Sequence, residues 1–78
     1  MFLRKRSKRF ILFSKKETGA ALAVNDILNR TIHGLPLLIG NHYMITFSKN
    51  WYGKVEFTNC EEILKGYRIK YRILGFKD

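Results

Sequence analysis

Acidic residues are scarce in this sequence, and none precedes Glu17. Six Asp and Glu stand against fifteen Lys and Arg, which gives a formal net charge of +9 and a pI near 10.1. Seven of the basic residues fall within the first sixteen positions, so the start of the chain is its electrostatic centre. A chain this basic favours polyanionic partners such as nucleic acid, anionic lipid or an acidic protein surface.

Cysteine and histidine are also rare, with one Cys60 and two histidines, His33 and His42. A lone cysteine excludes an intramolecular disulfide, so the fold has to depend on packing. The spacing of these three residues matches no recurrent metal-binding motif. We therefore expect neither a metal nor a cofactor.

Long apolar runs are absent as well. The longest, FILF at 10–13 and LPLLIG at 35–40, are too short for a membrane-spanning helix or for the apolar region of a secretory signal. The Arg-rich, acid-free start also resembles a transit peptide, but the small core needs the strand that FILF would form. We expect a cytoplasmic protein with a single domain, 1–78, in which residues 1–7 form a basic arm.

Hydrophobic periodicity predicts a strand and then a helix in the first half. The basic arm runs into a strand ending near Ser14, and because both faces of this strand are apolar we expect it to be central. Residues 18–33 have helical spacing, with Thr18 as the N-cap and the Gly34 and Pro36 pair as a stop signal. The predicted buried positions are Ala20, Ala21, Val24, Ile27, Leu28 and Ile32.

The second half predicts strands separated by turns. Residues 35–41 are interpreted as a connector whose leucines cover the open end of the core. Strands are predicted at 42–48 and 54–58, joined by a hairpin loop, SKNWYG, in which Asn50 and Gly53 adopt positive φ. Asn59 and Glu62 resemble a capping box that starts a short helix at about 60–65, and 67–74 alternates as a final strand.

These elements follow the order β, α, β, β, short α, β. That order is the split βαβ pattern of ferredoxin-like sandwiches, so we predict an α+β fold with a mostly antiparallel four-stranded sheet. The first and last strands should be neighbours, and the long helix should cover one face.

The charge is expected to collect on one flank of this sandwich, where the arm would run beside the basic face of the last strand. The alternative is that the arm is a solubilising tail and the strand residues form an ordinary wet face. The candidate binding residues are Arg4, Lys5, Arg6, Lys8, Arg9, Lys15, Lys16, Lys49, Trp51, Tyr52, Lys54, Arg68, Lys70 and Arg72.

Four aromatic residues are candidates for stacking on a ligand. Trp51 and Tyr52 lie at a predicted loop tip between lysines, where they would either stack on bases or fold back onto the sheet. Tyr67 and Tyr71 share a strand face with isoleucines, which favours core packing.

Catalysis is poorly supported by the pattern. Glu61 and Glu62 are adjacent and point in different directions, and His33 at a helix C-terminus favours a structural role. Cys60 would be activated only at a helix N-terminus, and two glutamates follow it.

The hypothesis that follows is a small non-enzymatic module for nucleic acid or a ribonucleoprotein. Its alternative is a compact protein inhibitor or adaptor, similar to mobile-element products, that docks its basic face or an edge strand on an acidic protein. Membrane binding is disfavoured because the arm is short and Phe2 and Leu3 anchor weakly, and no small-molecule substrate is expected.

Overall fold

The structure, a computed structural model, describes residues 8–75, except that the side chain of Lys8 is not described. The predicted arm at 1–7, including Arg4, Lys5 and Arg6, lies outside these residues. Six elements follow in the predicted order: β1 (Lys8–Ser14), α1 (Ala20–Arg30), β2 (Leu37–Ile39), β3 (His42–Ser48), α2 (Trp51–Gly66) and β4 (Arg72–Gly75).

The four strands form one antiparallel sheet with the order β2-β3-β1-β4. β1 is central, as its two apolar faces predict, and its neighbours are β3 and the last strand, β4. The α+β class, the ferredoxin-like topology and the pairing of the first and last strands are therefore confirmed.

Alternate residues of the two central strands face the helices. On β1 these are Ile11 and Phe13, and their antiparallel partners on β3 are Ile45 and Tyr43. The buried core joins these strands to both helices and to the segment before β4; its members are Ile11, Phe13, Ala20, Ala23, Ile27, Ile45, Phe47, Phe57, Cys60, Ile63, Leu64 and Ile69.

Helix α1 is shorter than the predicted 18–33. It begins after Gly19, whose φ of 86° suits glycine, so the N-cap is not Thr18. It ends at Arg30 because Thr31 is extended and its hydroxyl donates to the Ile27 carbonyl.

The buried face of α1 is also displaced from the predicted one. Ala20, Ala23 and Ile27 are buried, whereas Ala21, Leu28 and Ile32 are exposed. Both faces satisfy a helical period, and the small alanines allow the helix to approach its neighbours closely.

The predicted connector at 35–41 is wrong, because its centre forms the edge strand β2. The two-residue turn Gly40–Asn41 joins Ile39 to His42, and Gly40 has a φ of 62°. The side chains of β2 are exposed and do not cover the core.

The largest error concerns residues 49–66. The predicted hairpin loop and the predicted strand at 54–58 are both wrong. Residues Trp51–Gly66 form a single helix, α2, which also contains the predicted helix at 60–65. The Asn50 side chain accepts a hydrogen bond from Gly53 N at 2.8 Å, so Asn50 and not Asn59 is the N-cap.

The apolar alternation that suggested a strand covers only Val55 and Phe57. Helical spacing of three and four accounts for the buried residues over the whole length: Gly53, Glu56, Phe57, Cys60, Ile63 and Leu64. Gly53 is a poor helix residue that is required here by packing, because a Cβ at this position would lie 1.8 Å from the Ser48 carbonyl oxygen.

The last strand is shorter than 67–74 because Arg68 has a φ of 59° and interrupts the extended chain. The predicted burial holds as far as Tyr71, since Ile69 is buried and Tyr67 and Tyr71 pack against the core, but Ile73 is exposed. The prediction that both tyrosines are core residues is confirmed.

Candidate nucleic-acid interface

The strand register divides the predicted binding residues between two ends of the sheet. Arg9 is opposite Gly75, while Arg72 is opposite Leu12, three residues or about 10 Å further along β1. The last strand therefore begins beside the C-terminal end of β1, whereas Arg9 lies at the other end of this pairing. The expected convergence with the basic last strand is wrong for Arg9, and Arg4, Lys5 and Arg6 lie outside the described residues.

The first group is called the basic end and consists of Lys15, Lys16, Arg68, Lys70 and Arg72, all with exposed side chains. Lys15 and Lys16 follow β1 directly, and Lys70 N lies 3.4 Å from a carboxylate oxygen of Glu17. A shallow cavity of about 320 Å³ here is lined in part by Lys70, Arg72 and His42. Within residues 8–75, none of the five cations has a carboxylate at ion-pair distance.

The two tyrosines beside the basic end are held in place by carboxylates. The Tyr67 hydroxyl donates to Asp26 at 2.7 Å and the Tyr71 hydroxyl donates to Glu61 at 2.8 Å. Burial and the hydrogen bond to Glu61 raise the pKa of Tyr71 to about 12, and the hydrogen bond to Asp26 raises the pKa of Tyr67. Both rings are partly buried and pack against the core.

The second group is called the aromatic end and consists of Trp51 and Tyr52 with His33, Arg9, Lys49 and Lys54. Trp51 is 70% exposed and Tyr52 58% exposed, so neither folds back onto the sheet. Their rings meet edge to face with centroids 5.3 Å apart, and Tyr52 makes a similar contact with His33 at 6.2 Å. Because Asn50 is the N-cap of α2, the two aromatics occupy the first turn of the helix and project beyond the core.

Basic residues also lie on and beside the first half of α2. Lys54 lies three residues after Trp51 on the same face of α2 and is exposed. The Arg9 guanidinium lies 5.4 Å from the centroid of the Phe57 ring, a cation–π distance. Lys8 is the first described residue after the basic residues 4–6. In the sheet it is paired with Ser48, which lies two residues before Asn50.

The aromatic end is held together by Glu56, which lies within the segment predicted as a strand at 54–58. Its side chain is buried, and its carboxylate accepts hydrogen bonds from the backbone N–H groups of Ile32 at 2.8 Å, His33 at 3.2 Å and Gly34 at 2.9 Å. Burial raises the pKa of Glu56, but the three backbone donors outweigh it and hold the pKa below its ordinary value.

No sequence pattern predicts this contact, because its partners are 22 to 24 residues apart. A helical interpretation of 51–66 would have shown one signal, a carboxylate on an otherwise apolar and buried face.

A cavity of about 340 Å³ lies between α2, β3 and the loop after α1. Its lining is His33, Thr46, Phe47, Ser48, Asn50, Tyr52, Gly53 and Glu56. It adjoins the exposed aromatics, since Tyr52 forms one wall.

Cys60 and His33, the residues considered for catalysis, lie on different elements. Cys60 lies within α2, not at its start, and burial together with the Glu56 charge raises its thiol pKa to about 12. His33 lies beyond the end of α1, with Nδ1 4.0 Å from a Glu56 oxygen. In residues 8–75 no three His, Cys, Asp or Glu side chains cluster as metal ligands, and no helix there has the length and apolarity to cross a membrane.

Comparison of the chain with protein-family models, with curated proteins and with solved structures finds no match.

Proposed function

We propose that this protein is a small non-enzymatic module that binds single-stranded nucleic acid, free or within a ribonucleoprotein, through its aromatic end. Exposed aromatic rings stack on bases whatever their identity, and neighbouring cations bind the phosphates. Trp51 and Tyr52 would provide the stacking surface, with Lys54, Lys49 and Arg9 beside it. The basic residues at 4–6 would extend the phosphate contacts.

The observation that carries this proposal is the exposure of two adjacent large aromatics on one helical turn. An exposed tryptophan beside an exposed tyrosine is costly in water unless a partner covers it. The excess of cations favours a polyanion as that partner, with the basic end adding long-range attraction.

The proposal can be tested without a label on the protein, because Trp51 is its single tryptophan. Titration with an unstructured oligonucleotide should quench the tryptophan fluorescence, since a stacked base contacts the indole directly. At low salt we expect a Kd below about 10 μM. The logarithm of affinity should fall with the logarithm of salt concentration at about 0.7 per phosphate contact.

Variants separate stacking from charge. Trp51→Ala should weaken binding of a fluorescent oligonucleotide about tenfold, whereas Trp51→Phe should retain most of the affinity. Leu22→Ala is the matched control, because Leu22 is an exposed apolar residue on the other helix. Equal affinities for wild type and Trp51→Ala would place binding elsewhere and overturn the proposal.

A second candidate function, docking on a protein, is favoured by the sheet face that the helices leave uncovered. Leu12, Met44 and Leu37 form an apolar row across β1, β3 and β2, and the row ends in Arg72. Such a face suits the protein inhibitor or adaptor alternative.

A pull-down with nuclease treatment tests this alternative, with Leu37→Gln as the variant because Leu37 is exposed. A protein that stays bound after digestion and is lost in Leu37→Gln would favour docking. Release of all partners by nuclease would favour the aromatic end.

The proposal includes a cytoplasmic location, which the lone reduced cysteine supports. Cys60 is free and buried, and an isolated thiol is typical of reducing compartments.

A further inference from the structure

Stacking of bases on the exposed Trp51 and Tyr52 rings does not require the cavity that Tyr52 lines. β2 pairs with β3 only as far as Met44, so in the described chain the edge of β3 beyond this residue has no strand partner on that side. Thr46 and Ser48 lie on this edge, and the cavity is bounded across from them by α2 and the loop containing His33.

The hydrogen-bonding groups of the lining can be accounted for individually. Glu56, the carboxylate, already accepts three backbone N–H groups. The Asn50 side-chain oxygen accepts from Gly53 N at 2.8 Å and from the Ser48 hydroxyl at 2.9 Å. This assignment fixes the orientation of the amide, because a backbone N–H can be satisfied only by the oxygen.

The remaining polar capacity of Asn50 is its NH₂ group, which is a donor and cannot accept. The Asn50 side chain therefore offers donors to an occupant, while the two strong acceptors of the lining, Glu56 and the Asn50 oxygen, are engaged. The Thr46 hydroxyl can adapt to either role.

Size and shape limit the occupant. About 340 Å³ is near the lower end of ligand pockets, which run from about 300 to 1,000 Å³. The Tyr52 ring gives one aromatic wall, and the flanking cations lie outside the cavity. A single planar ring system joined to an anionic backbone fits this arrangement.

We propose that the cavity holds one nucleobase of the bound strand and prefers bases with a carbonyl at pyrimidine C4 or purine C6, namely uracil, thymine or guanine, over adenine and cytosine, which carry an amino group there. The Asn50 NH₂ would donate to a base carbonyl, while the adenine amino group would oppose it donor to donor. This inference rests on the proposed function and adds to it a chemical preference at one position of the strand.

The test compares fluorescent oligo-U and oligo-A of equal length at one salt concentration. Wild type should prefer oligo-U at least about fivefold, since a single well-placed contact to a base edge is worth about 1 kcal/mol or more. Asn50→Ser keeps a good N-cap oxygen but removes the amide donors without changing charge. It should reduce the ratio of oligo-U affinity to oligo-A affinity towards one.

Asn29→Ser is the matched control, since Asn29 is an exposed asparagine on α1. If Asn50→Ser loses helix stability, Asn50→Asp provides a second variant with a strong cap acceptor, and Asn29→Asp controls for its charge. Either variant should remove the preference while its control retains it.

The outcomes distinguish the two proposals. If neither oligonucleotide binds, the proposed function fails and the base pocket with it. If both bind equally and Trp51→Ala weakens both, the proposed function stands and the base pocket is overturned. A preference for oligo-U that survives in Asn50→Ser and Asn50→Asp also overturns the assignment to Asn50.

Discussion

The two ends of the sheet have similar compositions but different surfaces. Each carries two nearby aromatic residues among basic ones, as NWYGK at 50–54 and GYRIKYR at 66–72. At the basic end the tyrosine rings pack on the core and their hydroxyls donate to Asp26 and Glu61. At the aromatic end the rings of Trp51 and Tyr52 are exposed. Aromatic and basic composition therefore does not by itself identify a binding surface.

The difference arises from the backbone that carries each pair. Tyr67 is the C-cap residue of α2 and Tyr71 directly precedes β4, and both rings pack against the core on either side of the buried Ile69. Trp51 and Tyr52 are consecutive on the first turn of a helix whose buried face begins at Gly53. Both rings therefore project past the layer in which the core lies.

The largest effect should come from breaking the scaffold of the aromatic end. Gly53→Ala places a Cβ 1.8 Å from the Ser48 carbonyl oxygen, so α2 has to move away from β3. We expect a loss of about 3 kcal/mol in the free energy of unfolding, measured by urea denaturation. Gly66→Ala is the control, because nothing lies within 4 Å of its Cβ, and it should change stability by less than about 1 kcal/mol.

A smaller but pH-dependent effect should follow from Glu56→Gln. The substitution removes the negative charge and replaces one of the two oxygens that accept the three backbone N–H groups. It should lower the free energy of unfolding by about 2 kcal/mol at neutral pH. The pKa of Glu56 is lowered in the folded state, so the unfolded chain binds its proton more tightly. The Glu56 contribution is complete above its ordinary value of 4.5 and is lost as the pH falls through the folded pKa.

Denaturation midpoints of Glu56→Gln should therefore fall less steeply below pH 4.5 than those of wild type. Parallel curves for the two proteins would show that the carboxylate does not clamp the loop after α1.

At the basic end, Tyr71→Phe tests whether the hydrogen bond from the Tyr71 hydroxyl to Glu61 stabilises the fold. Removing the hydrogen bond to Glu61 should destabilise the fold by about 1 kcal/mol and leave oligonucleotide affinity unchanged. The raised pKa of Tyr71 adds an alkaline signature, since its stabilisation is present below pH 10 and is lost as the pH rises towards about 12. A loss of affinity without a loss of stability would show that the Tyr71 hydroxyl contacts the oligonucleotide and does not anchor the ring.

The smallest effect compares single charges at the two ends. Lys54→Gln should lower the salt dependence of oligonucleotide binding by about 0.7 in the log–log slope, as expected for one lost phosphate contact. Lys70→Gln should change the slope much less, because Lys70 lies at the other end, about 20 Å away along β3. Equal slopes for the two variants would mean that the whole basic surface binds and that the aromatic end has no special role.

Much of the fold could be predicted because local signals and global topology agree. The apolar stretch FILF gave the central strand, and the helical period gave α1 to within a few residues at each end. The order of elements then indicated the ferredoxin-like sheet. Helix α2 was missed at its start because Gly53 is typical of turns, and Val55 and Phe57 alternate over a length too short to separate a strand from a helix.

The candidate site was less predictable than the fold. Trp51, Tyr52 and Lys54 were identified as candidates, but as part of a hairpin loop and not of a helix. The register of β4 on β1 separates Arg72 from Arg9, and a shift of a few residues along β1 is enough to change which basic residues are neighbours. The contact between Glu56 and the loop after α1 has no local signal.

The sequence alone determined the strong positive charge, the reliance on packing in place of disulfides and the antiparallel α+β topology, because these follow from composition and short-range periodicity. Tertiary structure alone decided which aromatics are exposed, which carboxylate is buried and which cations share an end of the sheet. Those properties depend on contacts between residues far apart in the chain, and no local pattern specifies them.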